Sequence, residues 1–233
     1  MPRYSTDAII LNAIDFLESD KIIHALTRDQ GLITAIAKGA HRSRKRFPGT
    51  LEPFCEVTLE VHRGRGSELQ RIESAVLLNA NLSIREDLSL LGYSSVLLEV
   101  IKENLGACDP SPLTYECLQE ALSGLDGCRQ WFPLWSIAMV NILRSLGYGI
   151  DLPSLSMETA RKTGVMDLSR EALMFLVKGS CLEKDVLARI NVSAQARREI
   201  TSFLLRLCSK ITERPLKTVS FLAKLLDLDM IQC

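Results

Sequence analysis

The chain is 233 residues long, 47% hydrophobic and 24% charged, with 28 basic residues balanced by 28 acidic ones. This is the mix of a globular protein able to bury a sizeable core, and the zero net charge means that any nucleic-acid footprint must be local rather than spread over the protein. The seven cysteines are odd in number and widely spaced, which argues against a disulfide framework or a zinc ribbon and for reduced thiols in a reducing compartment.

Residues 1 to about 80 read as β. Asp7 to Phe16 is rich in Ile, Leu and Ala, and Lys21 to Arg28 follows as a second strand. Asp29-Gln30-Gly31 predicts a short hairpin connection, with Gly31 free to take a positive φ, and Leu32 to Ala37 pairs back. A long basic connection comes next. From Phe54 to His62 the chain alternates: Cys55, Val57, Leu59 and Val61 point one way, and Glu56, Thr58, Glu60 and His62 the other. Leu69 to Leu78 supplies a fifth strand. Five short strands with a long third connection predict a small closed barrel of the oligonucleotide-binding (OB) type.

The character changes near Asn79. Ser83 to Leu105 has helical spacing, expected to break or bend near Gly92. Ser111 is positioned to cap a helix from Pro112 to about Leu125. Trp131 to Leu146 is strongly apolar and stops at Gly147-Tyr148-Gly149, and residues 150 to 167 look irregular. Ser169 opens a short helix to Lys178, Ser193 a long one to Ile211, and Pro215 a last piece over Leu216 to Leu226. The fold class is therefore α+β: an OB-fold barrel over 1–80 followed by an all-α domain over 81–233. No apolar run reaches the ~18 residues of a membrane span, and acidic residues interrupt any leader-like start, so a cytoplasmic protein is expected.

The basic connection is the strongest chemical signal. Residues 1–37 carry three basic against five acidic residues, whereas 38–71 carry eight against four. Lys38, Arg42, Arg44, Lys45 and Arg46 fall within nine residues, with His41 among them. Such a cluster repels itself unless an anion answers it, and a mobile basic loop leaving a strand suits a phosphate backbone. The alternative is a solvated charge run, or a loop paired with acidic residues elsewhere in the chain. Arg63 and Arg65 form a second candidate clamp in the turn after the fourth strand, or ordinary exposed turn arginines. Phe47 is a candidate for stacking a base, and Phe54 for plugging the barrel. Trp131, Phe132 and Trp135 read as core rather than a partner pocket. Arg197 and Arg198 read as solvated, with an acidic partner peptide as the alternative. His24, His41 and His62 are too scattered for a metal site, and no catalytic triad, carboxylate pair or phosphate loop is present.

These residues carry a family likeness. Asp7-Ala8-Ile9-Ile10-Leu11, Ser19-Asp20-Lys21-Ile22-Ile23, Leu26-Thr27 with Gly31, Ala37-Lys38-Gly39-Ala40-His41-Arg42 and Leu51-Glu52-Pro53-Phe54 resemble the N-terminal domain of the RecO family. Leu146-Gly147-Tyr148, Pro153-Ser154-Leu155 and the run from Arg214 to Leu222 resemble its helical domain. The resemblance implies a non-enzymatic recombination mediator, cytoplasmic and nucleoid-associated, with no cofactor. Such proteins bind single- and double-stranded DNA and anneal complementary strands coated with single-strand-binding protein. With RecR they help load RecA, so RecA is an indirect partner. The resemblance carries Lys38 and Arg42 over as DNA contacts; Arg44, Lys45, Arg46, Arg63 and Arg65 rest on position and charge. It also implies a hydrophobic pocket on the helical domain for the acidic C-terminal tail of single-strand-binding protein. Many members carry a four-cysteine zinc site after the Leu-Gly-Tyr block, but Ser154 to Cys181 offers only Cys181 here, so no zinc is expected and Val165, Met166 and Leu168 would hold the loop instead. An RNA-binding barrel protein in RNA processing or translation is the alternative reading, and a nuclease is disfavoured by the missing metal-carboxylate set.

Overall fold

The computed structural model describes residues 3–43, 45–63, 69–149 and 167–225. Five strands form the N-terminal sheet: β1 (Arg3–Phe16), β2 (Asp20–Thr27), β3 (Gly31–Ala37), β4 (Glu56–His62) and β5 (Gln70–Asn79). They close in the order β1-β2-β3-β5-β4, with all pairings antiparallel except β3 with β5. This is the OB-fold barrel that the strand spacing predicts. The alternating face of β4 is core: Cys55, Val57, Leu59 and Val61 are buried with Ile10, Ile23, Ile33 and Ile72.

The barrel interior is plugged differently from expectation. Phe47 and Leu51, both from the long β3–β4 connection, lie in the core cluster. Phe47 is therefore no free stacking ring. Phe54 is buried at the start of β4 in a left-handed conformation, φ 73°. Its N–H donates to the Ile10 carbonyl, and Ile10 N–H donates to the Cys55 carbonyl, beside the register shift of β1 between Ile10 and Asn12. That bulge inverts which β1 residues face outward.

Seven helices follow: α1 (Leu88–Asn104), α2 (Pro112–Leu125), α3 (Trp131–Ser145), α4 (Arg170–Gly179), α5 (Lys184–Leu187), α6 (Ala194–Ile211) and α7 (Lys217–Leu225), counted among the described residues. The Asp87 carboxylate accepts the Ser89 and Leu90 N–H groups, which caps α1. The expected break at Gly92 does not occur. Gly92 instead lets α7 approach, since a Cβ there would sit 3.3 Å from Leu222 Cδ1. The short α5 went unforeseen, because four residues carry too little periodicity to read.

By compactness the chain divides into two units: Met1–Leu82 with Leu105–Gln119, and Ser83–Asn104 with Glu120–Cys233. Leu105–Gln119 packs on the outside of the barrel beside β3. Leu32 forms a bridge with Ala107 and accepts the Cys108 N–H. Tyr115 is fully buried, donates to Glu56 at 3.3 Å and lies under the Arg28 guanidinium. Burial, reinforced by the Glu56 and Asp7 charges, pushes its phenol pKa up, so it remains a donor.

In the helical unit, α4 and α6 cap each other. Ser169 and Ser193 accept the Ala172 and Ala196 N–H groups as N-caps. Glu199 of α6 accepts the Ser169 N–H at 2.8 Å, and Glu171 of α4 accepts the Ser193 N–H at 3.0 Å. The Ser169 hydrogen bonds hold the Glu199 pKa below its ordinary value. A depressed carboxylate stabilises the fold above its unfolded pKa and loses that contribution as pH falls through the folded pKa. Acidification through the carboxylate range is therefore expected to lower the melting temperature, and Glu199→Gln to start lower and flatten that dependence. Circular dichroism melts against pH measure both.

Candidate nucleic-acid interface

The basic connection leaves β3 at Lys38, whose side chain is exposed, and turns at once on Gly39, φ 67°. It is tied down at several points rather than mobile throughout. Gly39 N–H donates to the Asp20 carboxylate at 2.8 Å, and His41 N–H to the Ser19 carbonyl at 3.1 Å. The Gly39 hydrogen bond, helped by Ser19 and the Lys38 and Arg42 charges, holds the Asp20 pKa below its usual range. Ala75 of β5 donates to the Arg46 carbonyl, and Phe47 anchors the far end in the core.

Each expected cation has a distinct setting. Lys38, Arg42 and Lys45 are exposed. Arg42 reaches Glu18 at 3.8 Å with both side chains largely in water, a pairing worth about 0–1 kcal/mol that a phosphate readily displaces. His41 lies 3.0 Å from Asp15. The acidic β1–β2 hairpin thus answers part of the loop's charge. Arg46 faces inward: it donates to the Lys38 carbonyl at 2.8 Å and to Ser43 at 3.1 Å, and its guanidinium covers Phe47. Arg63 is exposed just past β4. Arg44 and Arg65 lie outside the described residues.

The sheet register adds residues that sequence reading missed. On the outside of the barrel Ile14 faces Ile22, Ile22 faces Ile36, and Ile36 faces Arg71. Arg71 faces His62, and His62 faces Arg3. One row therefore crosses all five strands, apolar at Ile14, Ile22 and Ile36 and then polar at Arg71, His62 and Arg3. Only the register assembles it; no spacing in the sequence links Arg3 to Arg71.

The helical unit holds a second site. A cavity of about 360 Å³ is lined by Tyr93, Trp131, Phe132, Arg197, Arg198 and Thr201, together with Ser89 and Ala194. Arg197 stands 4.7 Å from the Phe132 ring centroid. Trp135 is core, but Trp131 and Phe132 also line this cavity, so the three aromatics divide between the two readings.

Among the described residues no group of three or more His, Cys, Asp or Glu is placed to hold a metal ion. Val165 and Met166 lie outside the described residues. The buried Cys208 thiol has its pKa pushed up to about 12 and sits 3.7 Å from the Met139 sulfur, which marks it as inert.

Residues 1–81 match the family model described as recombination protein O N terminal, and residues 85–182 that described as recombination protein O C terminal. The DNA repair protein RecO of Syntrophobacter fumaroxidans is 40% identical over 158 residues, covering 66% of this chain and 60% of that protein. That of Myxococcus xanthus is 36% identical over 126 residues, covering 54% and 51%, so the match spans about half of that relative's length. That of Geobacter metallireducens is 29% identical over 248 residues, covering 97% and 99%. Two adjoining matches to one family, in order, across a barrel and the helices that follow it, lead to one assignment: the chain belongs to the recombination protein O (RecO) family of DNA repair proteins.

Proposed function

We propose that this chain is a recombination mediator and not an enzyme. It binds single- and double-stranded DNA, anneals complementary strands coated with single-strand-binding protein and, with RecR, helps load RecA. The exposed Lys38, Arg42 and Lys45 on the barrel of a RecO-family chain carry the reading. These cations neutralise phosphates and release counterions, which lets two strands of like charge share one surface. Arg63, exposed just past β4, adds to this charge, Arg44 and Arg65 are included as cations of the same stretches of sequence, and Arg46 holds the loop in shape. The barrel, residues 1–80, is the DNA-binding domain and residues 81–233 the partner-binding domain. No helix of the described residues is long and apolar enough to cross a membrane. A cytoplasmic, nucleoid-associated protein fits this role.

The cavity beside Arg197 and Arg198 is the proposed seat for the acidic C-terminal tail of single-strand-binding protein. Its aromatic floor takes apolar side chains and its arginines take carboxylates.

Annealing of complementary oligonucleotides coated with single-strand-binding protein tests the mediator reading. Wild type is expected to anneal, and a Lys38→Ala, Arg42→Ala, Lys45→Ala variant to lose most of that activity. Arg46 stays in place because its removal would disturb the loop itself. If three phosphate contacts go, the slope of log affinity against log salt flattens by about 2 for single strands and about 3 for duplex. Wild type that prefers RNA, and fails to anneal DNA with RecR present, would turn the assignment to an RNA-binding barrel.

A further inference from the structure

The cavity in the helical unit is cationic, and its charge is unanswered. Arg197 and Arg198 are exposed on α6, and among the described residues neither makes an ion pair. Glu199, next to them in sequence, is engaged by the Ser169 N–H and by the Gln195 amide at 2.9 Å. Arg197 lies over Trp131 and Phe132, which leaves the edge of its guanidinium open to a carboxylate.

Helix α7 is aimed at this cavity. Its start is fixed on α1 by Glu99, whose carboxylate accepts the Lys217 N–H at 3.0 Å and the Thr218 N–H at 2.8 Å. Further along, Leu222 and Phe221 reach Gly92, where a Cβ would lie 3.3 Å and 3.7 Å from their side chains. Helix α7 therefore runs against the direction of α1, from Glu99 toward Ser89. Ser89, one turn before Gly92, and Tyr93, next to it, both line the cavity. Leu225 is three residues past Leu222, about 4.5 Å farther along the axis, which brings the chain to about the level of Ser89.

The residues that follow lie outside the described ones, but the sequence gives their chemistry. Leu226-Asp227-Leu228-Asp229-Met230-Ile231 carries two carboxylates, four apolar side chains and no cation. Asp227 and Asp229 stand two and four residues past Leu225, within about 7 and 14 Å of it on an extended chain. Taken up as an extended segment, both carboxylates turn to one side and Leu226, Leu228 and Met230 to the other. That pattern matches a cavity with an arginine wall and an aromatic floor.

We propose that residues 226–231 of the same chain occupy the Arg197 cavity, so that the helical unit carries its own competitor for acidic peptides. Asp227 and Asp229 pair with Arg197 and Arg198, and Leu228 and Met230 cover Trp131 and Phe132. The inference rests on the reading of that cavity as a seat for acidic peptides. A tether this short holds the segment at roughly millimolar effective concentration, so an incoming peptide must displace it. A weak acidic peptide is thereby refused and a tight one admitted.

Fluorescence anisotropy with a labelled acidic tail peptide of single-strand-binding protein tests this on the full chain. An Asp227→Asn, Asp229→Asn variant keeps the length and the apolar residues of the segment and leaves Glu99 and Leu222 in place. It is expected to bind the probe about fivefold to tenfold more tightly than wild type, with an unchanged melting temperature. Unlabelled peptide of residues 226–231, at millimolar concentration, is expected to displace the probe from the variant. Arg197→Ala is expected to weaken the probe in both backgrounds and to erase the difference between them. Equal affinity of wild type and variant for the probe, or no displacement by the free peptide, would overturn the inference and leave the cavity reading standing. A probe that binds neither chain would sink the cavity reading, and the inference with it. A gain confined to protein concentrations at which wild type is a dimer would place the segment of a second copy in the cavity, which also overturns the inference.

Discussion

Gly31→Ala is expected to disrupt the barrel, whereas Gly49→Ala is expected to be mild. Both glycines have nearly the same left-handed backbone, φ 68° and φ 70°. Both substitutions therefore carry the same conformational penalty, about 1 kcal/mol. They differ in space. A Cβ on Gly49 meets nothing within 4 Å, but a Cβ on Gly31 would lie 2.0 Å from the Asp109 carbonyl oxygen and 2.4 Å from its carbon. These are backbone atoms of the segment bridged to Leu32, so no side chain can swing aside. The segment must lift, which breaks the Cys108–Leu32 hydrogen bond and loosens the Tyr115 and Glu56 contacts. A loss of roughly 3 kcal/mol or more follows for Gly31→Ala, seen as a fall of ~1–3 M in the urea midpoint. Similar losses for both variants would show that crowding by Asp109 is not the deciding factor.

Trp135→Ala should cost about 3–5 kcal/mol of helical-unit stability. Trp135 is fully buried, stacks edge-on against Tyr93 at 4.6 Å and donates its indole N–H to the Tyr93 carbonyl at 2.8 Å. Its removal leaves a large void and removes one of the ring contacts that join α1 to α3, those of Tyr93 with Trp131 and Phe132 remaining. Trp131→Ala, four residues earlier, is expected to act differently. Trp131 is only half-buried and lines the Arg197 cavity. Its loss should spare the melting temperature but weaken binding of an acidic peptide, in the manner of a truncated interface anchor. Thermal melts and peptide titrations on both variants separate the two roles. An unfolded Trp131→Ala, or a Trp135→Ala of wild-type stability, would reverse the division of these aromatics.

Local patterns were legible in the sequence and long-range ones were not. The alternation from Cys55 to Val61 placed the core face of β4, because one strand's pleat is a period-two signal. Ser169 and Ser193 marked helix starts, because capping is decided within four residues. Gly31 announced its turn. By contrast, Phe47 and Phe54 had similar surroundings in sequence, and only the closed barrel shows that the interior takes Phe47. Arg46 looked like any other loop cation until its guanidinium was seen bonded to the Lys38 carbonyl. The row from Ile14 to Arg3 depends on five pairings and on register shifts in β1–β2 and β4–β5, none visible from spacing. In the sequence Gly92 suggests a break or bend, whereas helix α1 continues through it and the missing Cβ admits Leu222.

The placement of Leu105–Gln119 has a consequence for synthesis on the ribosome. Strand β5 ends at Asn79, yet the piece that packs on the barrel near Leu32 is translated some tens of residues later. At ~5–20 residues per second the barrel waits several seconds with that flank uncovered. During that interval the nascent chain presents Leu32 and its apolar neighbours to whatever holds hydrophobic segments near the exit tunnel. Slowing translation between codons 80 and 120 should lengthen that exposure, and speeding it should shorten it. The chain's own order thus sets the timing of its most vulnerable stage.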